Sequence, residues 1–496
     1  MKSWETAPGL YPPPPVNLTR RGWRGAFRFM GTGAIIASVT VGSGELVWAS
    51  RSGAIFDYQM LWCFLLAGLF KFVQVFSAAR HLTLTGEHPL VSWRSLFISI
   101  LGRRLSLAFI IAAPTLLVMP IAFSGISEIL GNYLHGLTSH SSADSYAGID
   151  GRHELWENIW ATAILTTCLF MAITSNLQTV ERVSALVVSL IILCAFVSVV
   201  TCKPDLLAIA SGLCSPRVPE YENWVLMKYS KSFTGRSPWL EIALYLGAVG
   251  GGTYDYIGYL GILRQKQWGL AGKTPASRDT LEQAMGTDAL NRPDYRRARI
   301  WTRAPLLDTS ASFAVVILIT LLFAILGASL LHPHQMIPDN QQLLSQQETF
   351  LTSLHPQLIW VYRVGVCLAL IGTLYGAFEL YQHTVTESIL AILPRWATPP
   401  FIPVWRYATI TYCYLGGMLM IWLPEEIAGN VVGRMTFGAV ISGATLSGVW
   451  CLAMIWTDRV RLPKALQMGW LLWWSTLIAG IAMTALGIQT LVVYFS

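Results

Sequence analysis

The sequence predicts an all-α polytopic membrane protein, and three observations support this class. Of the 496 residues, 54% are hydrophobic and only 12% are charged, whereas ordinary soluble domains carry about 25% charge. Apolar runs of about 20 residues, the length that spans a hydrocarbon core of ~30 Å, recur along the chain. Two of these runs, the first and the sixth, are interrupted by glycines that are followed by an acid.

Eleven apolar runs predict eleven spanning helices. They cover residues 27–49, 54–79, 104–131, 155–175, 181–201, 238–264, 306–331, 357–381, 403–423, 434–456 and 466–495. In front of them we expect a short, disordered tail, residues 1–26, which is rich in proline and arginine and lacks the pattern of a cleavable signal peptide.

Loop charge predicts the orientation in the membrane. The segment 263–304 contains nine Lys and Arg residues, whereas the segment 332–357, one helix later, contains none. Because basic loops stay in the cytoplasm, we expect a cytoplasmic N-terminus and an outside C-terminus, in the plasma (inner) membrane. The formal net charge of +7 is therefore assigned to cytoplasmic loops beside the lipid bilayer, and no nucleic-acid partner is expected.

The two interrupted runs lie five helices apart, which predicts two inverted repeats, since an odd number of helices per repeat reverses the orientation. The predicted division is a cytoplasmic N-terminal tail (1–26), a first repeat (27–202), an extracellular loop (203–237), a second repeat (238–457, with the basic cytoplasmic loop 265–304), and an eleventh helix with the C-terminus (458–496). Cys202 and Cys214 share the extracellular loop, where they either form a disulfide or remain free thiols.

The interruptions read "VGSGE" at residues 41–45 and "GAVGGGTYDY" at residues 247–256. Glycine costs ~1 kcal/mol relative to alanine inside a helix, so adjacent glycines favour unwinding. Unwound backbone in a bilayer must be buried in protein or line a wet cavity, where its carbonyls can bind a cation. Close helix packing is the structural alternative. The predicted substrate-binding residues are Gly42, Ser43, Gly44, Glu45, Gly250, Gly251, Gly252, Thr253, Tyr254 and Asp255.

Glu45 and Asp255 are the predicted metal ligands, because a carboxylate within a spanning helix usually faces a cavity or a partner. The structural alternatives are a Glu45–Arg51 pair or an interfacial Glu45, and hydrogen bonds from neighbouring tyrosines to Asp255. Lys71 lies in the second run, and it is either a proton-coupling group or a side chain that snorkels to the interface.

The same segments resemble the Nramp family of proton-coupled divalent-metal transporters. The likeness is carried by "FMGTGAIIASVTVGSGELVWASRSGA", "LLAGLFKFVQVFSAARHLTLTGEHPL", "SGISEIL" and "GAVGGGTYDYIGYLG". It implies the LeuT-type fold, two inverted five-helix repeats plus an eleventh helix, with helices 1 and 6 broken. It also implies that Glu128, in "SGISEIL", lies on the proton route, although its place in the helix also fits an interfacial role.

This chain departs from the family at the motifs that bind the metal. The family's Asp-Pro-Gly-Asn falls on residues 42–45, and its Met-Pro-His falls on residues 252–254. Both the metal-binding Asp and the thioether are therefore absent from these positions, and the remaining ligands, carboxylates, hydroxyls and carbonyls, suit harder ions such as Mg²⁺ or Ca²⁺.

The resulting expectation is a secondary-active transporter that takes up a divalent cation with protons, without a cofactor and with altered ion selectivity. A transporter of a small organic solute on the same fold and a non-transporting membrane sensor are the alternatives. An enzyme is not expected, because the sequence contains no HExxH, GxSxG or GxxxxGK[ST] motif.

Overall fold

The computed structural model describes residues 9–19, 42–100, 103–138, 151–174, 177–233, 235–286, 292–338, 342–396 and 402–495. Each of the eleven apolar runs coincides with a helix or with two half-helices in these residues. The first part of the first run, up to residue 41, lies outside them, as do residues 1–8 and 20–26 of the predicted tail.

Thirteen long or half-length helices are numbered in chain order. They are α1 (Ala49–Phe56), α2 (Leu61–Thr85), α3 (Leu107–Thr138), α4 (Gly151–Thr174), α5 (Leu177–Cys202), α6 (Pro238–Ala248), α7 (Thr253–Lys266), α8 (Arg303–Leu326), α9 (Ile359–Ile392), α10 (Ile402–Trp422), α11 (Val431–Gly438), α12 (Leu446–Arg461) and α13 (Trp470–Phe495). Short α-helices cover Val16–Thr19, Pro89–Ser92, Leu206–Cys214, Asn223–Lys228, Ser230–Phe233, Arg278–Met285, Pro293–Trp301, Thr349–Thr352 and Glu425–Ala428.

Three π-helical stretches adjoin these helices: Ser43–Trp48 leads into α1, Gly327–Leu331 continues α8, and Ala439–Thr445 joins α11 to α12. Short 3₁₀ turns cover Asp57–Met60, Trp93–Ser95, Ser345–Glu348, Pro356–Leu358, Pro394–Trp396 and Lys464–Leu466. π-Helical turns occur frequently at functional sites, and two of these three lie next to the helix breaks described below.

Helices that correspond in the two predicted repeats pack against each other. α2 packs along α8, and α3 packs along α9. These pairs join the second run to the seventh and the third run to the eighth, so the runs in each pair are five positions apart. α7 also packs along α9, and α12 packs along α13. The interior is therefore shared between the two halves of the chain, as an inverted-repeat transporter fold requires.

Among the described residues, seven helices are long and apolar enough to cross a membrane. The number is eight if the end of α5 and the short helix Leu206–Cys214, which meet at a bend of 117°, count together as one span. The sixth run is missing from this number because its halves contain only 11 and 14 residues. A broken helix thus hides a span from a criterion based on continuous length.

The boundary between the first two runs differs from the prediction. The second run was predicted to cover 54–79, but α1 extends to Phe56 and α2 covers Leu61–Thr85. Asp57 ends the first helix with a φ angle of 52°, a conformation that Asp adopts more readily than most residues. The apolar residues on both sides conceal this turn from hydropathy.

A short hairpin between α2 and α3 was not predicted. Strands β1 (Phe97–Ile100) and β2 (Arg103–Ser106) pair antiparallel, with Phe97 opposite Ser106. Each strand has four residues, which is too short for an alternating pattern to stand out. Cys202 and Cys214 are both free thiols in the structure, so the disulfide alternative is not realised there.

The predicted disorder of the N-terminal tail is wrong for residues 9–19. Tyr11 is completely buried, and its hydroxyl donates a hydrogen bond to the Leu84 carbonyl at 2.6 Å. Its own carbonyl accepts a hydrogen bond from Arg297, and the Pro12 carbonyl accepts one from Trp301. Proline has no N–H, so an extended Pro-rich segment needs partners mainly for its carbonyls, and these side chains supply them.

Candidate functional site

The sixth run is interrupted between two half-helices, and three successive glycines form the interruption. α6 ends at Ala248 and α7 begins at Thr253. Gly250 and Gly251 have φ angles of +78° and +87°, a conformation that residues with a Cβ rarely adopt. The glycines are therefore needed for the break itself and do more than permit close helix packing.

Both half-helices that follow a break begin with the same capping arrangement. Gly42 precedes the helix that starts at Ser43, and Glu45 Oε2 accepts a hydrogen bond from the Gly42 N–H at 3.3 Å. Gly252 precedes α7, and Asp255 Oδ2 accepts a hydrogen bond from the Gly252 N–H at 2.7 Å. In each case an acid at the third helical position caps the helix and lies at the positive end of its dipole.

Glu45 also joins the two breaks to each other. Its second oxygen, Oε1, accepts a hydrogen bond from the Gly250 N–H at 2.8 Å. Gly44 permits this close approach, because a Cβ at that position would collide with the Ala248 carbonyl. The prediction that the two glycine-containing segments face one another is confirmed by these contacts, whereas the interruption of helix 1 depends on residues before Gly42, which lie outside the described residues, and stays a prediction.

Neither structural alternative for Glu45 is seen among the described residues. Glu45 is completely buried, and both of its oxygens accept backbone N–H groups. Arg51 instead donates to the Pro338 carbonyl at 2.6 Å and lies 3.9 Å from Glu241. The role of Glu45 as a metal ligand stays a prediction.

A cavity of about 70 Å³ lies against both breaks. Its walls include Gly42, Gly44, Trp48, Phe123, Ala248, Gly251, Tyr254, Asp255, Thr373, Tyr381 and Met435. Asp255 supplies a carboxylate to it: Oδ1 is buried and accepts no hydrogen bond of ordinary geometry from the described residues, although Tyr381 lies beside it. A buried carboxylate oxygen normally has a partner, so this oxygen is available to a ligand or a water molecule.

Met435 brings a thioether to this cavity from α11. The side chain packs against Gly125, where a Cβ would collide with the Met435 sulfur. The cavity is therefore not lined by oxygen donors alone, contrary to the expectation from the altered motifs. Sequence reasoning missed this residue, because nothing in the pattern separates it from the other methionines before the helices are packed.

Lys71 does not snorkel to the interface, and that alternative is wrong. The side chain is completely buried, and Nζ donates to the Gly251 carbonyl at 2.6 Å and to the Gly247 carbonyl at 3.4 Å. Nζ also lies 5.6 Å from the centre of the Tyr256 ring. Lys71 is thus part of the sixth-run break, although it belongs to α2.

The remaining predicted residues of α7 have different roles. Thr253 is bound to the π-helical stretch before α12, because its N–H and its hydroxyl both donate to Ser442, at 3.0 and 2.7 Å. Tyr254 lines the cavity. Tyr256 donates to the Gly250 carbonyl at 2.6 Å and so does not hydrogen-bond the Asp255 carboxylate through this proton. The Ser43 side chain lies outside the described part of the chain.

Glu128 lies away from the breaks and pairs with Arg434. The carboxylate is almost completely buried, and Arg434 also donates to the Met420 carbonyl at 2.8 Å. The pair joins α3 to α11, the helix that carries Met435 into the cavity. The place of Glu128 on a proton route stays a prediction.

The two breaks meet at a buried acid, and corresponding helices pack in pairs. This geometry is that of a secondary transporter with the LeuT-type fold. A crystal structure of the Eremococcus coleocola manganese transporter, in complex with an aromatic bis-isothiourea compound, is similar with a TM-score of 0.60 and 12% identity, covering 96% of this chain and 89% of that one. A mutant of the same transporter is similar with a TM-score of 0.60 and 13% identity, again covering 96% of this chain and 89% of that one.

Mhp1, a nucleobase-cation-symport-1 family transporter in a closed conformation with bromovinylhydantoin bound, is similar with a TM-score of 0.50 and 14% identity, covering 93% of this chain and 91% of that one. No curated protein sequence matches the chain. The sequence profile of the Nramp family (natural resistance-associated macrophage protein-like) matches residues 33–493, and the chain belongs to this family. It is therefore a transporter and not an enzyme.

Proposed function

We propose that the chain carries a divalent metal cation through the cavity between its two helix breaks and couples this movement to protons. The observation that carries the proposal is the Asp255 carboxylate, which lines the cavity and whose buried oxygen Oδ1 accepts no hydrogen bond of ordinary geometry from the described residues. Membership of the Nramp family and the similar fold of a manganese transporter support a metal as cargo.

Asp255 is the proposed direct ligand, and Met435, Thr373 and exposed backbone carbonyls are the proposed neutral ligands. The described residues contain no group of three or more His, Cys, Asp or Glu side chains suited to a metal, so neutral groups must complete the shell. A thioether favours softer transition metals, whereas oxygen donors favour harder ions. The mixed donor set supports Mn²⁺, which takes oxygen ligands as Mg²⁺ and Ca²⁺ do but, as a transition metal, accepts a thioether more readily than they do.

Charge balance supports a role for both breaks. A divalent cation that leaves water must have its charge compensated in a low-dielectric site, and Glu45 and Asp255 together supply two negative charges. Without the ion the two carboxylates repel each other, and protonation of one of them relieves this repulsion. We propose as the coupling step that metal binding displaces this proton from the pair of acids onto a separate route that includes Glu128, so that the proton and the metal can move in the same direction.

The size of the cavity favours an ion over an organic solute. Its volume of about 70 Å³ holds an ion with a few water molecules, whereas sites for drug-sized molecules enclose ~300–1,000 Å³. One observation favours the second candidate, a small organic solute: Trp48, Phe123, Tyr254 and Tyr381 give the cavity an aromatic wall.

Flux into proteoliposomes tests the proposal. We expect Mn²⁺ to enter faster than Mg²⁺ or Ca²⁺, faster with an inward proton gradient, and without amino-acid uptake. Asp255→Asn should abolish metal flux, whereas Glu379→Gln, which alters an acid 3.7 Å from Arg406 and absent from the cavity wall, should not. Amino-acid uptake without metal uptake would instead support the organic solute, and no flux of either kind would support a sensor.

A further inference from the structure

Lys71 places a positive charge where the unwound backbone of the sixth run exposes its carbonyls. Its ammonium group donates hydrogen bonds to the Gly251 carbonyl at 2.6 Å and to the Gly247 carbonyl at 3.4 Å. Gly247 lies in the last turn of α6, so this carbonyl belongs to the negative end of a helix dipole. The Tyr256 ring faces the same group at 5.6 Å, a distance at which a cation is attracted to the ring.

Several other polar groups of this break are bound to protein groups. The Gly250 carbonyl accepts the Tyr256 hydroxyl, and the Gly250 N–H donates to Glu45. The Gly252 N–H donates to Asp255. On the α2 side, the Gly247 and Gly251 carbonyls of this break bind the Lys71 amino group.

Carbonyls released by a helix break are the groups with which transporters of this architecture coordinate a small cation. A buried lysine in a spanning helix is costly unless such partners surround its charge. The acids whose charges act on Lys71 are Asp255 and Glu45, one from each break. The ammonium group is thus held as a bound cation would be, by carbonyls, an aromatic face and nearby carboxylates.

We infer that Lys71 is a tethered cation, which fills a backbone cation site of the broken helix in place of an inorganic monovalent ion. The cavity with Asp255 and Met435 then serves the transported solute alone. The inference goes beyond the proposed function, because it holds whether the cargo is a metal or an organic molecule. It predicts that removal of the side chain creates a vacant site with affinity for a small ammonium ion.

The test is chemical rescue of Lys71→Ala in the purified, full-length protein without metal. This variant should unfold at a lower temperature than the unmodified protein. Added n-propylammonium, which replaces the missing three carbons and the charge, should raise its unfolding temperature in a saturable manner. n-Propanol at the same concentration has nearly the same shape and no charge, and it should produce no such saturable rise.

Two matched variants separate this effect from general stabilisation. Lys71→Met fills the space without the charge, so n-propylammonium should not stabilise it. Lys266→Ala removes an exposed lysine at the end of α7, and it should respond to the ammonium ion as the unmodified protein does. Equal stabilisation of Lys71→Ala by propylammonium and by propanol, or equal stabilisation of all variants, would overturn the inference.

A second measurement decides the question if Lys71→Ala does not fold. The unmodified protein should have the same unfolding temperature in NaCl, KCl and choline chloride at equal ionic strength, because its backbone site is already filled. A saturable stabilisation by one of the inorganic cations would show a free monovalent site and would contradict the tethered cation. Both measurements are made without metal, so their outcome is independent of the metal-flux test.

Discussion

Glu45 and Asp255 occupy equivalent positions in their half-helices, but of the two only Asp255 has a carboxylate oxygen, Oδ1, that accepts no hydrogen bond of ordinary geometry from the described residues. Both Glu45 oxygens accept backbone N–H groups, from Gly42 and Gly250. In Glu45→Gln, an amide NH₂ must face one of these N–H groups, and a buried donor without an acceptor costs about 1–3 kcal/mol. We therefore expect a lower unfolding temperature without metal, together with loss of metal-dependent stabilisation.

Glu128→Gln is the control for this measurement of unfolding temperature with and without metal. Glu128→Gln should retain metal-dependent stabilisation and weaken only the pH dependence of transport, because Glu128 lies outside the cavity and pairs with Arg434. If Glu45→Gln is destabilised but still stabilised by metal as strongly as the unmodified protein, the carboxylate serves only to join the breaks.

Met435 provides a second prediction at the scale of a single residue. Met435→Leu keeps an apolar side chain of similar volume and removes the sulfur, so the fold should change in stability by less than about 1.5 kcal/mol. Flux should shift from Mn²⁺ towards Mg²⁺ and Ca²⁺, because the remaining donors are oxygens. Met418→Leu, on α10 and absent from the cavity wall, is the matched control. An unchanged ratio of Mn²⁺ to Mg²⁺ flux would exclude the thioether as a ligand.

Residue roles were predictable from sequence only where a local pattern reflects them. An acid after a glycine break identified Glu45 and Asp255, because both the break and the cap are formed within a few residues. The thioether of Met435 and the carbonyl partners of Lys71 depend on contacts between helices that are far apart in the chain. The sequence left Lys71 either as a proton-coupling group or as a side chain that reaches the interface, since hydropathy does not register that unwound carbonyls lie beside it.

At the scale of elements, the φ angles at the sixth-run break can be tested separately from its role in transport. Gly250 and Gly429 have similar φ angles, +78° and +75°, but Gly429 lies in the connection before α11 with open space around it. Alanine at either position is strained by the positive φ angle and should cost roughly 1–3 kcal/mol. Only Gly250→Ala should also reduce flux, because it adds a Cβ 3.1 Å from Phe313 beside the break. Equal flux in both variants would show that the break tolerates a side chain.

The N-terminal segment 9–19 is an element that composition failed to predict, because proline-rich and basic sequences usually lack a packed core. Burial raises the pKa of the Tyr11 phenol, so it remains a neutral donor to the Leu84 carbonyl near the end of α2. Tyr11→Phe leaves this carbonyl without that donor. We expect a lower unfolding temperature and faster trypsin cleavage after Arg20, with Val16→Ala, at an exposed position, as the control. Unchanged cleavage would mean that the hydroxyl does not hold the segment.

At the scale of the whole molecule, the number and order of helices followed from hydropathy, and the inverted repeat followed from two breaks five helices apart. The packing of α2 on α8 and of α3 on α9 agrees with that repeat. The cavity, in contrast, could not be predicted in shape or donors, because it is formed by α3, α9 and α11 as well as by the broken helices. None of those three carries a local signal for the site.

The last prediction concerns orientation, which determines the direction in which the cavity must load and release its cargo. Nine Lys and Arg residues in 263–304 and none in 332–357 predict that these segments lie on opposite sides of the membrane. Ser277 and Gln342 are exposed positions in the two segments. In a background in which the exposed Cys214 is replaced by serine, a cysteine at position 277 should react with an impermeant maleimide only after the membrane is opened. A cysteine at position 342 should react in intact cells. The reverse accessibility would place the C-terminus in the cytoplasm and would reverse the proposed direction of uptake.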